Sequence, residues 1–220
     1  MKFDVVEKMY LNKKSNYFSL ERELFKEQVK ENNLKILDIG CGYGILGSYF
    51  KRNQNCYVAG VEINLSAYEE ACKSLDFVVY GNVESIDLPF TNNFFDVIIM
   101  GDVLEHLISP VSVLDKIDSF LKENGKFHIS VPNIRNWKVL KKLIFNDSWE
   151  YQEWGILDET HLRFFTKKSI NSHLKKNNFN ITFIKWVIQK KSKSYWFNVF
   201  TFRIFEGFLA SHIYLTITKK

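Results

Sequence analysis

The chain has 220 residues, 46% of them hydrophobic and 25% charged, values that suit one globular domain with a substantial core and exclude a disordered or low-complexity protein. The net charge of +5 is unevenly spread: residues 1–110 hold 11 Lys and Arg against 16 Asp and Glu, and residues 111–220 hold 19 against 9. The basic C-terminal half suits an anionic substrate, an acidic membrane surface or RNA, or it is simply a solvated lysine-rich face. The three cysteines, Cys41, Cys56 and Cys72, have no metal-ligand spacing and are odd in number, so they read as reduced thiols of a cytoplasmic protein. Met1 to Tyr10 lacks the apolar core of a signal peptide, and no run of about 18 apolar residues predicts a spanning helix. The 20 Phe residues point to an aromatic-rich core ahead of an apolar pocket.

Helical and strand-like segments alternate, the pattern of a parallel α/β sheet. Leu20 to Glu31 reads as a helix, and Leu34 to Ile39 as a short buried strand ending in a glycine cluster. A helix over Ile45 to Arg52, a strand over Cys56 to Val61, a helix over Ser66 to Ser74 and a strand over Phe77 to Tyr80 follow. Phe95 to Met100 is a fourth buried strand. Ser109 is placed to cap a helix that starts at Pro110 and runs to about Leu121. Gly125 stops it, and Lys126 to Val131 is a fifth strand. Pro132 to Arg163 then reads as a long segment rich in Trp, Asn and charge, and loops of that length tend to be functional. Thr166 caps a helix through Lys176, and Ile181 to Ile188 and His212 to Thr218 close the sheet.

The central signal is the strand Ile36 to Ile39 running into Gly40-Cys41-Gly42-Tyr43-Gly44. Glycines at alternate positions allow a tight turn and a close backbone approach to a ligand. Glu62 ends the next strand 22 positions after Gly40, where a carboxylate accepts the two ribose hydroxyls of an adenosine. The geometry serves NAD as well as S-adenosylmethionine (SAM), and Gly42-x-Gly44-x-x-Gly47 is a literal dinucleotide-type spacing. Asp38 tips the balance to SAM, since a carboxylate before the glycines suits an amino group and repels a pyrophosphate. Gly81-Asn82-Val83-Glu84 after the third strand and Gly101-Asp102-Val103-Leu104-Glu105-His106 after the fourth point the same way.

Together LDIGCGYG, VEIN, LPFTNNFFDVI and DVLEHL, in that order, resemble the class I SAM-dependent methyltransferases. The resemblance implies an α/β, Rossmann-like, doubly wound, seven-stranded, mostly parallel sheet with a helical or loop cap in the C-terminal half. It implies one domain over residues 1–220, with 132–178 as an acceptor-side insertion. It further implies that Gly40, Gly42 and Gly44 line the methionine portion of SAM, with Asp38 near its amino group. Glu62 binds the ribose, Asn82 and Val83 border the adenine, and Gly101 and Asp102 lie beside the sulfonium.

On the acceptor side, His161 or His106 is a candidate general base and Arg163 a candidate for orienting the substrate. The run WEYQEWGILDETHLRFFT resembles a bacterial branch similar in layout to ubiquinone-type O-methyltransferases, which implies a small-molecule or glycan hydroxyl acceptor, including a lipid-linked glycan. A second arrangement, in which Asp102, Glu105, His106 and His161 bind a divalent metal, resembles the small-RNA 2′-O-methyltransferases, with Asp102 in place of their first Glu. The preferred reading assigns no metal. Glu105-His106 as a structural turn, a non-catalytic nucleotide-binding scaffold, and an NAD-linked oxidoreductase are the remaining alternatives. Trp137, Trp149, Tyr151 and Trp154 either wall the acceptor pocket or form the core of a cap, and Asn133 either binds acceptor or makes the turn. Tyr195 to Leu209, beside Lys190, Lys191 and Lys193, reads as an amphipathic helix that packs on the sheet, forms a dimer contact or touches a membrane.

Overall fold

Strand β1 (Lys35–Ile39) is apolar at successive positions because both of its faces are covered. Successive side chains point to opposite faces, so Ile36 joins one core and Leu37 and Ile39 the other. The same division holds in β2 (Tyr57–Glu62), with Val58 against Ala59 and Val61, and in β4 (Phe95–Gly101), with Val97 and Ile99 against Ile98 and Met100. The structure, a computed structural model, describes residues 22–188 and 192–219.

Helices α1 (Glu23–Gln28), α2 (Ile45–Gln54) and α3 (Leu65–Ala71) cover one face through Phe25, Leu46, Phe50 and Ala71. Helices α4 (Pro110–Asp118) and α6 (Lys167–Lys176) cover the other through Val113, Leu114, Ile117, Ile170 and Leu174. β3 (Phe77–Tyr80), β5 (Leu121–Pro132), β6 (Phe179–Val187) and β7 (His212–Lys219) complete a seven-stranded sheet in the order β3-β2-β1-β4-β5-β7-β6. β7 runs antiparallel to both of its neighbours, and the pairs among β3, β2, β1, β4 and β5 are parallel. The strand order reverses between β1 and β4, and such a switch point opens a crevice at the carboxyl ends of the strands.

Several local expectations change. Ser109 precedes α4, but its side chain makes no capping bond; its backbone N–H instead donates to the Glu84 carboxylate at 2.8 Å. α4 stops at Asp118, and β5 begins at Leu121, five residues before its apolar run, with Gly125 inside it. Within the segment read as a long loop, Asn136 accepts from Lys138 N–H at 3.0 Å and starts a helix, α5 (Trp137–Asn146). The Thr166 cap is present as a reciprocal capping box with Ser169. Tyr195 to Leu209 is two short helices, α7 (Lys193–Phe200) and α8 (Glu206–Leu209), because Phe202 and Arg203 adopt the left-handed region between them. Residues 20 and 21 of the first predicted helix, and Lys190 and Lys191, lie outside the described residues. Among the described residues no helix is long and apolar enough to cross a membrane.

Candidate active site

β1 delivers the chain into the glycine turn. Gly40, Gly42 and Gly44 all have positive φ (70°, 56° and 73°), a region that side chains with a Cβ rarely adopt. The Gly40 and Cys41 N–H groups both donate to the carbonyl of Val61, at 2.8 and 3.2 Å, which fixes the turn to the end of β2. Glu62, 4% exposed, finishes the work: its carboxylate accepts from Gly42 N–H at 2.8 Å, Asn64 N–H at 2.8 Å and Ile63 N–H at 2.9 Å. A carboxylate has about four acceptor positions, so one remains for a ligand hydroxyl. Burial raises the Glu62 pKa against the pull of those three donors.

A cavity of about 1200 Å³ opens at this edge, large enough for a cofactor and an acceptor together. One wall comes from residues 39–42, 61–63 and 81–84 and from Asp102, Glu105 and His106 after β4. The opposite wall comes from α5, residues 152–159 and His161, with Ser192, Ser194, Leu209, Ser211 and His212 closing the side. Gly40, Gly42, Glu62, Asn82, Val83, Asp102, His106 and His161 therefore share one cavity, as the sequence pairs them.

Four other candidates stand off the cavity surface. Asp38 lies one position before the wall begins, 1% exposed, with neither carboxylate oxygen hydrogen-bonded. Burial pushes its pKa up to about 6, with Arg22 opposing and Glu62 reinforcing the shift. A buried carboxylate in that state is suited to a cationic group. Gly44 is the N-cap of α2, where a Cβ would fall 2.9 Å from the Ser74 hydroxyl. Gly101 packs against the Arg22 guanidinium, 2.8 Å from where its Cβ would sit. Arg163 is exposed, and its guanidinium donates to the carbonyls of Leu107 (3.1 Å from Nε) and Ile108, so it fixes the turn after the β4 cluster.

That cluster is tight. Glu105, 1% exposed, has no hydrogen bond to either carboxylate oxygen. Burial, then the nearby Asp102, drives its pKa well above the carboxylate range. The His106 and His161 rings meet edge to face with centroids 4.7 Å apart, and His161 Nε2 lies 3.9 Å from Glu105. His106 Nδ1 is 3.1 Å from the Thr160 carbonyl, and His161 Nδ1 is 3.0 Å from the Ile156 carbonyl. A carbonyl only accepts, so His161 carries a proton on Nδ1; the Thr160 hydroxyl also lies 3.0 Å from His106 Nδ1, and because that hydroxyl donates to Asp158 at 2.7 Å it too accepts from the ring, which places a proton on His106 Nδ1. Burial and the neighbouring His161 lower the His106 pKa to about 4, which keeps that ring neutral. Asp102, at φ 56°, accepts from the Ser130 hydroxyl at 2.7 Å; burial would raise its pKa, but His212, Arg22 and Ser130 outweigh it and the net shift is downward.

The aromatic residues of the cap divide. Trp137 and Trp154 border the cavity, while Trp149 and Tyr151 pack on Phe164 at 5.4 and 6.5 Å. Asn133 is fully buried: its Oδ1 accepts from Arg135 N–H at 3.2 Å in the turn after β5, and its Nδ2 donates to the carbonyls of Gly207 and Ala210, both at 2.9 Å. Sequence reasoning missed Arg22, which lines the cavity and bears on four carboxylates (Asp38, Glu62, Asp102 and Glu105), because nothing local marks a residue 18 positions before the glycine turn. It also missed Asp158, whose carboxylate accepts from both the N–H (2.8 Å) and the hydroxyl (2.7 Å) of Thr160. The Asp-x-Thr spacing is a turn signal that could have revealed it.

A family model described as a methyltransferase domain matches residues 12–183 of this chain. The chain belongs to that methyltransferase-domain family, and its fold is that of the class I SAM-dependent methyltransferases. It is 31% identical over 185 residues to the mitochondrial ubiquinone biosynthesis O-methyltransferase of Schizosaccharomyces pombe, an alignment covering 79% of this chain and 65% of that protein. It is 32% identical over 158 residues to the ubiquinone biosynthesis O-methyltransferase of Nitrobacter winogradskyi, covering 68% of this chain and 58% of the relative. The chain thus spans less than two thirds of the length of these curated relatives. Among solved structures, a SAM-dependent methyltransferase from Thermotoga maritima superposes with a TM-score of 0.66 at 17% identity, covering 98% of this chain and 99% of that one. One from Archaeoglobus fulgidus superposes with a TM-score of 0.64 at 18% identity, covering 94% and 97%. These two likenesses establish the fold.

Proposed function

We propose that this protein moves the methyl group of SAM to a hydroxyl of a small-molecule or glycan acceptor, with residues 132–178 forming the acceptor side. The observation that carries the reading is the pair of Nδ1-protonated histidines in the same cavity as the glycine turn and Glu62. The ubiquinone-type relatives, named as O-methyltransferases, support oxygen as the acceptor atom.

The glycine turn offers close backbone approach, Glu62 its remaining acceptor position, and Asn82 and Val83 an edge for the adenine. The unpartnered Asp38 carboxylate fits the cofactor's ammonium, and three carboxylates (Asp38, Glu62 and Asp102) around one end of the cavity disfavour a pyrophosphate. SAM supplies a methyl carbon on a good leaving group. The acceptor oxygen bonds to that carbon as the carbon–sulfur bond breaks, the bonding pair stays on sulfur, and the hydroxyl proton passes to an imidazole Nε2. Burial leaves His106, with its pKa near 4, a weak base. His161 takes the role, and Glu105, at 3.9 Å from its Nε2, faces the imidazolium that forms.

The test pairs calorimetry with labelled-methyl transfer. S-adenosylhomocysteine is expected to bind in the micromolar range and NAD not at all; NAD binding alone overturns the cofactor assignment. His161→Ala is expected to lower turnover about 100-fold or more with cofactor affinity nearly unchanged. If only cofactor affinity falls, the histidine is on the wrong side of the reaction.

A second reading has two observations in its favour. Ligand atoms of Glu105, His106 and His161 lie within 4.8 Å of one another, and the Glu105 oxygens lack hydrogen-bond partners. Mixed carboxylate and imidazole ligands suit a divalent cation, which would lower the pKa of an acceptor hydroxyl, including an RNA 2′-hydroxyl. Turnover that survives exhaustive chelation discards this reading; label sensitive to ribonuclease would promote the RNA acceptor.

A further inference from the structure

The surface beside the cavity mouth is apolar to a degree that a monomer in water does not need. Phe145 is 79% exposed, Trp154 73%, Phe200 85%, Phe202 88% and Ile204 76%. Large apolar side chains left this exposed mark a surface that something covers. They come from two segments, α5 with its following loop and the α7–α8 pair, which are tied together where α5 begins and α8 ends. Asn136 Nδ2 donates to the Ala210 carbonyl at 2.9 Å, and the Arg135 guanidinium lies 4.6 Å from the Phe208 ring centroid. Both segments also border the cavity, through Trp137 and Lys138 on one side and Ser194 and Leu209 on the other.

Charge decides what covers it. From Arg135 to Asn146 there are four basic side chains and no acidic one, with Asp147, Glu150 and Glu153 following in the loop, and only Val139 of α5 is buried. Lys193 and Arg203 add positive charge on the α7–α8 side against Glu206, so the helices themselves present a net positive surface. A second copy of the chain docking here by a twofold axis would bring these like charges together, whereas an anionic lipid surface neutralises them. Lysines interleaved with Trp, Ile and Phe on a short helix are the composition of a segment that lies in the membrane interface, and no described helix is built to span.

We propose that α5 and the α7–α8 pair form one surface that docks the domain on an anionic membrane, with the cavity mouth at the lipid boundary. The proposal takes its orientation from the reading of that cavity as the acceptor site, but docking itself needs no turnover, so the two can fail separately. The experiment is flotation of the full chain with phosphatidylcholine vesicles, with and without phosphatidylglycerol. Binding is expected only to the anionic vesicles, weakening as salt is raised. Phe145→Ser with Phe200→Ser, and separately Lys141→Glu with Lys193→Glu, exposed positions off the cavity, are each expected to reduce binding at least tenfold. S-adenosylhomocysteine affinity within twofold of the parent shows that each variant is folded. Absence of binding to anionic vesicles, equal binding to neutral ones, or a concentration-dependent dimer that the Phe variants abolish while vesicle binding persists unchanged would each overturn the proposal.

Discussion

Glu62 is asked to do two things with one carboxylate. Three backbone donors hold it, and they shape the turn that receives the cofactor. Glu62→Gln therefore places an amide N–H₂ where a donor must be met by an acceptor, in a site that is 4% exposed. Loss of a charge-assisted bond and a facing pair of donors should weaken S-adenosylhomocysteine binding by about 1–3 kcal/mol, read by calorimetry. An unchanged affinity would mean that the ribose is held elsewhere. His128 poses a different problem, far from the glycine turn. It is 5% exposed within β5 and bonded to the Tyr214 hydroxyl. Burial, then Lys126, lowers its pKa from 6.5 to about 4. Between those two values the unfolded chain binds more protons than the folded one, so stability falls as pH drops from 6.5 toward 4. The loss approaches about 3 kcal/mol at the low end. His128→Gln keeps a polar partner for Tyr214 and cannot titrate, so urea unfolding at pH 7 and at pH 4.5 should show a smaller drop for the variant. His106 shifts in the same direction, so the parent-minus-variant difference is the quantity to read.

At the scale of elements, α2 shows packing overriding intrinsic preference. Gly47 lies inside the helix, where Ala is favoured over Gly by about 1 kcal/mol. A Cβ there would fall 2.6 Å from Leu75 Cδ2 and 2.8 Å from Val58 Cγ1. The leucine tip can yield, but the valine methyl on buried β2 cannot do so easily, and overpacking costs about 1–3 kcal/mol. Gly47→Ala is therefore expected to lower the melting temperature; a rise would mean that α2 has room to retreat from the sheet. Gly47 was legible only as the last glycine of a dinucleotide-type spacing, and the structure gives it a packing role. The α5 pattern is present in the sequence: Trp137, Val139, Leu140, Leu143 and Ile144 fall on one helical face and Lys138, Lys141 and Lys142 on the other. Only Val139 is buried, so the stripe does not face the core, and it was missed among the Trp, Asn and charge of the surrounding segment. The capping signal at Asn136 was there to be read; the one at Thr166 was read and is present.

The whole molecule depends on the last strand. β7 lies between β5 and β6, and Ile213, Tyr214, Leu215 and Ile217 are fully buried. Ending the chain at Ser211 would leave β6 detached and the buried edge of β5 open. Such a chain is expected to lose its cooperative unfolding transition and become protease-sensitive, by circular dichroism and limited proteolysis. A truncated protein that still melts cooperatively would show that β1 to β5 form an independent unit.

The sequence by itself determined the sheet and the cofactor edge. Runs such as Ile36 to Ile39 and Phe95 to Met100 place apolar residues on both faces, as a strand covered on both sides requires, and the three glycines with Glu62 follow from short-range spacing. Those signals are local, so they survive without knowledge of the fold. Tertiary structure alone decided which side chains meet. Arg22 reaches Gly40 and Gly101 across the sheet edge, His106 and His161 come from positions 55 apart to lie with rings 4.7 Å from each other, and Arg163 turns away to hold the Leu107 and Ile108 carbonyls. Contacts between distant segments depend on how helices pack over a twisted sheet, and that packing is set by the summed shapes of two cores rather than by any motif.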